Sequence, residues 1–194
     1  FVTSSNTVTA GVCTGLGVAP NRIGEVYGIF KAYCTRVGSG PFPTELFDET
    51  GERLCRLGHE FGAVTGRKRR CGWLDLVQVA YTTMVDAFDS LCLTKLDVLT
   101  GLETIKVGRK YLLDGKELPS MPAEAEDLAR VEVVYDELPG WSEDISKWVR
   151  ERCVSVVCGP SRSCQRTRGS TWSTSRRCWA CRSTSSAWVR EETP

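Results

Sequence analysis

Apolar and polar positions along the chain follow two periods, one typical of strands and one typical of helices. Short apolar stretches bounded by glycine, proline or polar residues predict buried strands, and apolar positions three or four apart predict amphipathic helices. Strands are predicted over residues 25–37, 90–94 and 131–135, and helices over residues 48–58, 75–87 and 123–130, with a short helical turn after Pro20.

Capping and turn residues indicate where several of these elements begin and end. Asp48 or Thr50 can cap the first long helix, which should end near Gly58. Asp75 can cap the next helix, whose apolar face carries residues 76, 79, 80, 84 and 87. Asp114-Gly115 predicts a primed turn joining a strand over residues 104–113 to one that starts at Leu118. Residues 38–43 are predicted to be a loop.

Two loops offer groups that bind anions. The small and hydroxyl residues from Thr3 to Gly17 predict a loop with free backbone N–H groups. The segment from Gly62 to Asp75 combines glycines and Thr65 with four consecutive cations at positions 67–70. Such a segment can surround a carboxylate or phosphate with N–H, hydroxyl and guanidinium groups. A solvated basic run and a nuclear-import patch are the alternatives.

The strand over residues 90–94 ends in Lys95-Leu96-Asp97, at the carboxyl end where open α/β sheets bind ligands. The Watson–Crick edge of guanine has two adjacent donors, which a carboxylate such as Asp97 accepts in a bidentate pair. The lysine stem can cover the ring. The alternative is a strand-end ion pair. His59 is the single histidine, and its position beside a helix end favours a structural role.

Composition limits the class of protein. The chain has 194 residues, of which 41% are hydrophobic, as expected for one globular domain. It contains no apolar run of about 20 residues that would suggest a membrane span. The net charge is only +1, so a nucleic-acid partner is not expected. Single, scattered cysteines before residue 100 predict a reduced, cytoplasmic protein.

Three phrases in order and spacing resemble the adenylosuccinate synthetase family: residues 35–46, residues 62–75 and residues 93–99. The resemblance extends from Phe1 to about Lys147, as the latter part of the family chain. It implies an α/β fold with a central, mostly parallel sheet and flanking helices, without its N-terminal half. It also implies GTP-dependent ligation of IMP and L-aspartate to adenylosuccinate, through 6-phosphoryl-IMP, in AMP biosynthesis by a cytoplasmic homodimer.

The resemblance assigns ligands to particular positions. Thr3, Val37 and Arg67 would contact IMP, and Lys95, Leu96, Asp97 and Arg69 would contact GTP. Aspartate would bind to Ala63, Val64, Thr65, Gly66, Arg67, Lys68 and Arg69. Val64 departs from the family pattern, which usually has a second threonine there, and this removes one hydroxyl.

The family's catalytic residues are expected outside this sequence. The glycine-rich phosphate loop, the catalytic Asp that binds Mg²⁺ and the catalytic His all precede Phe1 in the family. No catalytic residue and no metal ligand is therefore assigned here, and the isolated chain is expected to be inactive. The alternative from another class is a guanine-nucleotide or nucleic-acid binding protein without ligase activity.

Residues 148–194 differ in amino-acid composition from the rest of the chain. Residues 150–194 carry nine Arg, nine Ser and five Cys but no Leu or Ile, with a net charge of +6 against −5 before them. Three interpretations are open: a metal site at Cys178-x-x-Cys181, an Arg/Ser-rich nucleic-acid arm, and a reading-frame error. The favoured interpretation is a frame-shifted, disordered tail without a function of its own.

Overall fold

The computed structural model describes residues 6–143, residue 145, and the backbone of residues 156–158 and 187–189. The chain forms two compact units. The first contains Lys31–Thr82 and Lys95–Glu143, and the second contains Asn6–Phe30, Thr83–Thr94 and the two strands described after residue 150.

The described elements are four helices, two 3₁₀ turns and nine strands. The helices are α1 (Ala10–Leu16), α2 (Glu49–Leu57), α3 (Leu76–Asp86) and α4 (Ala125–Arg130), with 3₁₀ turns at Pro20–Arg22 and Leu96–Leu99. The strands are β1 (Tyr27–Lys31), β2 (Tyr33–Arg36), β3 (Arg70–Asp75), β4 (Ser90–Thr94), β5 (Thr104–Leu113), β6 (Lys116–Glu117), β7 (Glu132–Pro139), β8 (Val156–Cys158) and β9 (Ala187–Val189).

The first unit is built on a sheet in the order β2-β3-β5-β6, with β7 also paired to β5. Strands β3 and β5 are parallel, because the chain between them crosses over through α3. The pairs β2–β3, β5–β6 and β5–β7 are antiparallel. The α/β class is thus confirmed, and the parallel pair β3–β5 lies beside antiparallel neighbours in this unit.

Local sequence signals were confirmed at three element boundaries. The Asp48 carboxylate accepts a hydrogen bond of 3.0 Å from Gly51 N and caps α2. Asp75 Oδ1 accepts from Val77 N and Gln78 N at the start of α3. Asp114 and Gly115 have φ of 51° and 77°, the positive values that a type I′ turn requires. In each case the deciding group lies within three residues of the boundary.

Three predicted elements were wrong in extent or type. The loop expected from Thr3 to Gly17 contains helix α1, whose start is held where Thr9 N and Oγ1 donate to Asp86 Oδ1. The strand expected over residues 25–37 is interrupted at Ala32 and divides between two sheets. The hairpin partner of β5 begins at Lys116 instead of Leu118 and is two residues long. The long partner of β5 is β7, a pairing distant in sequence.

The core of the first unit lies around β2, β3 and β5. Tyr33, Leu54, Val107 and Tyr111 are each no more than 1% exposed. Helix α3 forms as predicted, but no residue in it is buried, and Met84 on its predicted apolar face is 68% exposed.

The second unit contains a sheet in the order β1-β4-β8-β9. Strand β4, predicted from its apolar run, pairs with β8 at Leu91↔Val156. The other residues of the predicted disordered tail, 148–155, 159–186 and 190–194, lie outside the described part of the chain.

Candidate functional site

The basic segment folds into a tight loop after α2. Phe61 and Lys68 form an antiparallel bridge, and inside it Gly62 N donates to Arg67 O and Gly66 N donates to Gly62 O, both at 2.8 Å. Gly66 supplies the positive φ of 63° that the reversal needs. The backbone hydrogen bonds leave the side chains of residues 63–68 exposed to solvent, and Val64 is 98% exposed.

The four consecutive cations divide into two pairs. Arg67 and Lys68 are exposed, and within the described residues their side chains have no hydrogen-bond or ion-pair partner. Arg69 donates from Nη1 to Glu60 Oε2 at 3.0 Å, and Arg70 donates from Nε to Glu45 Oε1 at 2.7 Å. The first pair therefore offers uncompensated charge to an anion, and the second pair is fixed by the protein.

Glu60 is a buried carboxylate directly before this loop. It is 2% exposed, and it accepts hydrogen bonds from Lys31 Nζ at 2.8 Å, Tyr33 OH at 2.7 Å and Arg69 Nη1. Burial alone would raise the pKa of Glu60, but the hydrogen bonds from Lys31, Tyr33 and Arg69 and the charge of Lys31 together lower it. The carboxylate thus stays ionised at neutral pH.

The predicted guanine segment, residues 95–97, is hydrogen-bonded to the turn that contains Glu60. Lys95 Nζ donates to Gly58 O at 2.8 Å, two residues before Glu60. Lys95 itself has φ of 63°, and the 3₁₀ turn Leu96–Leu99 follows it. Leu96 is half-buried, while Asp97 is exposed, and its negative charge contributes to the raised pKa of Tyr33, for which burial is the main cause. Asp97 is therefore accessible and lies in the neighbourhood of the Glu60 cluster.

Val37 lies where β2 leaves the sheet. Arg36, the last residue of β2, is paired with Arg70, the first residue of β3. Val37 and Arg69 therefore lie at the same end of the two strands. Val37 is 55% exposed. The predicted ribose contact and the predicted aspartate loop thus emerge side by side.

Two arginines hold the loop that follows Val37. Arg36 donates to the carbonyls of Ser39 and Pro41, and Arg70 donates to the carbonyls of Gly38 and Gly40. The four oxygens are taken alternately by the two guanidinium groups, with N···O distances of 2.8–3.1 Å. The carbonyls of this loop consequently point toward the two arginines. We call Arg36, Arg70 and these four carbonyls the arginine clamp.

The structure brings most of the predicted binding residues together. Val37, residues 63–69 and residues 95–97 all belong to the first unit. Two of them bind the turn Gly58–Glu60, where Lys95 donates to a carbonyl and Arg69 to a carboxylate. Thr3, the predicted phosphate contact of IMP, lies outside the described residues. His59 is in this turn with φ of 54°.

Sequence reasoning missed the partners of these residues. Glu60, Lys31, Glu45 and the arginine clamp received no role from the sequence. One signal was present for Glu60, because it is the sole carboxylate between Glu52 and Asp75 and precedes four cations. No comparable local signal marks Lys31, which lies on another strand.

Neither a cluster of metal ligands nor a membrane-length apolar helix occurs in the part of the chain that the structure describes. No group of three or more His, Cys, Asp or Glu side chains there could hold a metal ion. No helix there is long and apolar enough to cross a membrane. Two carboxylates near the site, Glu60 and Glu45, are engaged by cations.

Comparison with known proteins decides the family. The sequence model of the family described as adenylosuccinate synthetase matches residues 1–153, six residues beyond the extent expected from the motifs. The chain belongs to the adenylosuccinate synthetase family. Adenylosuccinate synthetase from Bacteroides thetaiotaomicron is 62% identical over 151 residues, which are 78% of this chain and 35% of that protein. That of Mycosarcoma maydis is 59% identical over 162 residues, or 81% of this chain and 37% of the relative.

A solved structure supports the same fold. The structure of fully ligated adenylosuccinate synthetase from Plasmodium falciparum superposes with a TM-score of 0.72 at 44% identity, over 75% of this chain and 35% of that chain. This chain therefore spans about a third of the length of the adenylosuccinate synthetases that it matches. The motif-based identification of the family is confirmed.

Proposed function

We propose that this chain is the part of an adenylosuccinate synthetase that binds aspartate, the IMP ribose and guanine. The enzyme would ligate IMP and L-aspartate with GTP, forming adenylosuccinate, GDP and phosphate on the route to AMP. The C6 oxygen of IMP is a poor leaving group, so its phosphorylation by GTP would precede displacement by the aspartate amino group. A site for these three substrates must accommodate several negative charges close together.

The observation that carries the proposal is the division of the four cations. The side chains of Arg67 and Lys68 are exposed and have no partner within the described residues, on a loop whose backbone is closed by its own hydrogen bonds. This arrangement leaves two cations and the hydroxyl of Thr65 available to the two carboxylates of aspartate. Arg67 would also reach the IMP ribose beside Val37, and Arg69 would serve aspartate and the GTP side. Ala63, Val64 and Gly66 would contribute the shape of the loop and its N–H groups.

Guanine recognition is assigned to residues 95–97. Asp97 is exposed and can accept from N1–H and the 2-amino group of guanine, whereas adenine has an acceptor at N1 that a carboxylate repels. The aliphatic stem of Lys95 and the side chain of Leu96 would cover the ring. By analogy with bidentate base readout, the Asp97 pair would discriminate guanine by roughly ten- to a hundredfold.

Mg²⁺ would be the cofactor of the whole enzyme, supplying charge neutralisation for the phosphates. The described residues do not provide a cluster that fits it, so we assign it no ligand on this chain. A homodimer in the cytoplasm is the assembly and location that the family implies.

A chimera tests the proposal. Residues 6–143 would replace the matching segment of the Bacteroides thetaiotaomicron relative, giving a complete enzyme that we call the chimera. We expect adenylosuccinate formation that requires IMP, aspartate and GTP together. The variant Arg67→Ala should raise the KM for aspartate by about a hundredfold, because it removes a charge-assisted, two-pronged contact. A chimera that folds but forms no adenylosuccinate would refute the proposed function.

The exposed ion pair between Arg130 and Asp114 provides a matched control. Arg130→Ala removes a cation of the same kind from the same unit, at a position outside the proposed contacts. It should leave all three KM values within about twofold, because exposed ion pairs contribute little. An equal loss in both variants would point to a general effect of charge instead of a binding role for Arg67.

A further inference from the structure

Glu60 has no place among the proposed substrate contacts, yet this charged residue is only 2% exposed. Lys31 Nζ donates to both carboxylate oxygens, at 2.8 and 2.9 Å, and Tyr33 OH and Arg69 Nη1 donate to one oxygen each. Lys31 and Tyr33 lie on earlier strands, and Arg69 follows the basic loop. The carboxylate is thus a fixed point that three side chains share.

The main chain reinforces the link between Glu60 and Arg69. Arg69 N donates to Glu60 O at 2.9 Å, so backbone and side chain of the two residues are joined separately. Glu60 is held from the other side, where its N–H donates to Cys55 O at the end of α2. Arg69 is therefore bound to Glu60 through its main-chain N–H and through its guanidinium, whereas the side chains of Arg67 and Lys68 have no such contact within the described residues.

This arrangement leaves part of Arg69 available. The side chain of Arg69 is 33% exposed, although Nη1 is engaged by a carboxylate that is 2% exposed. A guanidinium has a planar fork of donors, so one nitrogen can be anchored while another faces a ligand. The anchoring carboxylate then determines the plane in which the remaining donors lie.

Stability alone does not explain a buried carboxylate at this position. Removing a carboxylate from water is costly, and apolar residues of similar volume often stabilise a core as well or better. A buried ion pair that ends on an accessible arginine is better explained by orientation of that arginine.

We propose that Glu60 is a positioning residue for substrate binding: its carboxylate orients the Arg69 guanidinium toward the anionic substrate groups. The inference rests on the proposed function, in which Arg69 serves aspartate and the GTP side. Arg67 and Lys68 would bind the substrate without being held by a protein carboxylate, whereas Arg69 would be oriented by Glu60 before the substrate binds. Loss of Glu60 should therefore affect aspartate and GTP more than IMP.

The variant Glu60→Gln in the chimera tests this directly. Glutamine keeps the size and can still accept from Tyr33, but it loses the charge that orders Arg69. We expect the KM for aspartate and for GTP to rise about tenfold, with the KM for IMP within about twofold. Glu45→Gln is the matched control, because Glu45 pairs with Arg70, the neighbouring cation. It should leave the KM for aspartate near the wild-type value.

A double-mutant cycle separates positioning from a structural role. Once Arg69→Ala has removed the arginine, Glu60→Gln should change the KM for aspartate no further. An equal effect of Glu60→Gln with and without Arg69 would overturn the proposal. Should Glu60→Gln fail to fold, Arg69→Lys keeps the test open, because a lysine cannot engage Glu60 and a ligand through a fixed fork.

The outcomes also separate this inference from the proposed function. An inactive, folded chimera refutes the function. An active chimera in which Arg69→Lys and Glu60→Gln both retain the wild-type KM for aspartate and GTP refutes only the role of Glu60.

Discussion

The Lys95 ammonium donates a hydrogen bond of 2.8 Å to the main-chain carbonyl of Gly58, at the end of helix α2. This carbonyl is two residues from the Glu60 carboxylate that binds Arg69. The turn Gly58–Glu60 therefore links the predicted guanine segment and the predicted aspartate loop within one unit. Gly58 suits this place because a Cβ there would lie 2.1 Å from the Tyr33 hydroxyl.

Lys95→Met should loosen the guanine segment. Methionine keeps an apolar stem but loses the bond to Gly58 O, so the left-handed backbone at Lys95 loses its anchor. We expect the KM of the chimera for GTP to rise about tenfold, the size of one charged hydrogen bond. Faster amide exchange at Val98 and Thr100 should accompany it. Unchanged exchange and an unchanged KM would show that the anchor is dispensable.

Asp97→Asn should change nucleotide choice. An asparagine amide presents one donor and one acceptor, which no longer match the two donors of guanine but match a base with a carbonyl at C2. We expect the KM for GTP to rise by roughly ten- to a hundredfold and xanthosine triphosphate to become the better substrate. Kinetics of the chimera with GTP, ATP and xanthosine triphosphate would measure this. Equal loss with all three nucleotides would contradict base recognition by Asp97.

Arg36→Met should weaken IMP binding selectively. Arg36 holds the carbonyls of Ser39 and Pro41 in the arginine clamp, next to the predicted ribose contact Val37. Its loss leaves those carbonyls to water and the loop less ordered, and we expect the KM for IMP to rise about fivefold. The KM values for aspartate and GTP should stay within about twofold. Arg109→Met, which removes an arginine paired with Asp136 in the same sheet, is the control.

The pH dependence of stability should reveal Glu60. Its pKa is lowered in the folded chain below the ordinary value of 4.5, so the ionised form stabilises the fold at higher pH. That contribution is complete above pH 4.5 and is lost as the pH falls through the lowered pKa. In urea unfolding of the 194-residue chain, Glu60→Gln should therefore cost about 3 kcal/mol at pH 6 and less at pH 3. A cost that is the same at both pH values would contradict ionisation of Glu60.

The sequence by itself determined the features that depend on neighbouring residues. Asp48 and Asp75 cap helices whose free N–H groups lie within three positions, and Asp114-Gly115 makes its turn with its own backbone angles. Three phrases in register were enough to identify the family. The cations at positions 67–70 were likewise evident as an anion-binding segment.

Only the tertiary structure decided which groups face each other. Arg69 and Arg70 are anchored, while the side chains of Arg67 and Lys68 have no partner within the described residues, although all four are cationic and adjacent in sequence. The difference arises because Glu60 is buried against Lys31 and Tyr33 from β1 and β2, and Glu45 meets Arg70 across 25 positions. The pairing of β5 with β7 and the break at Ala32 have the same origin. Such contacts join residues distant in sequence, and no local propensity or spacing specifies them.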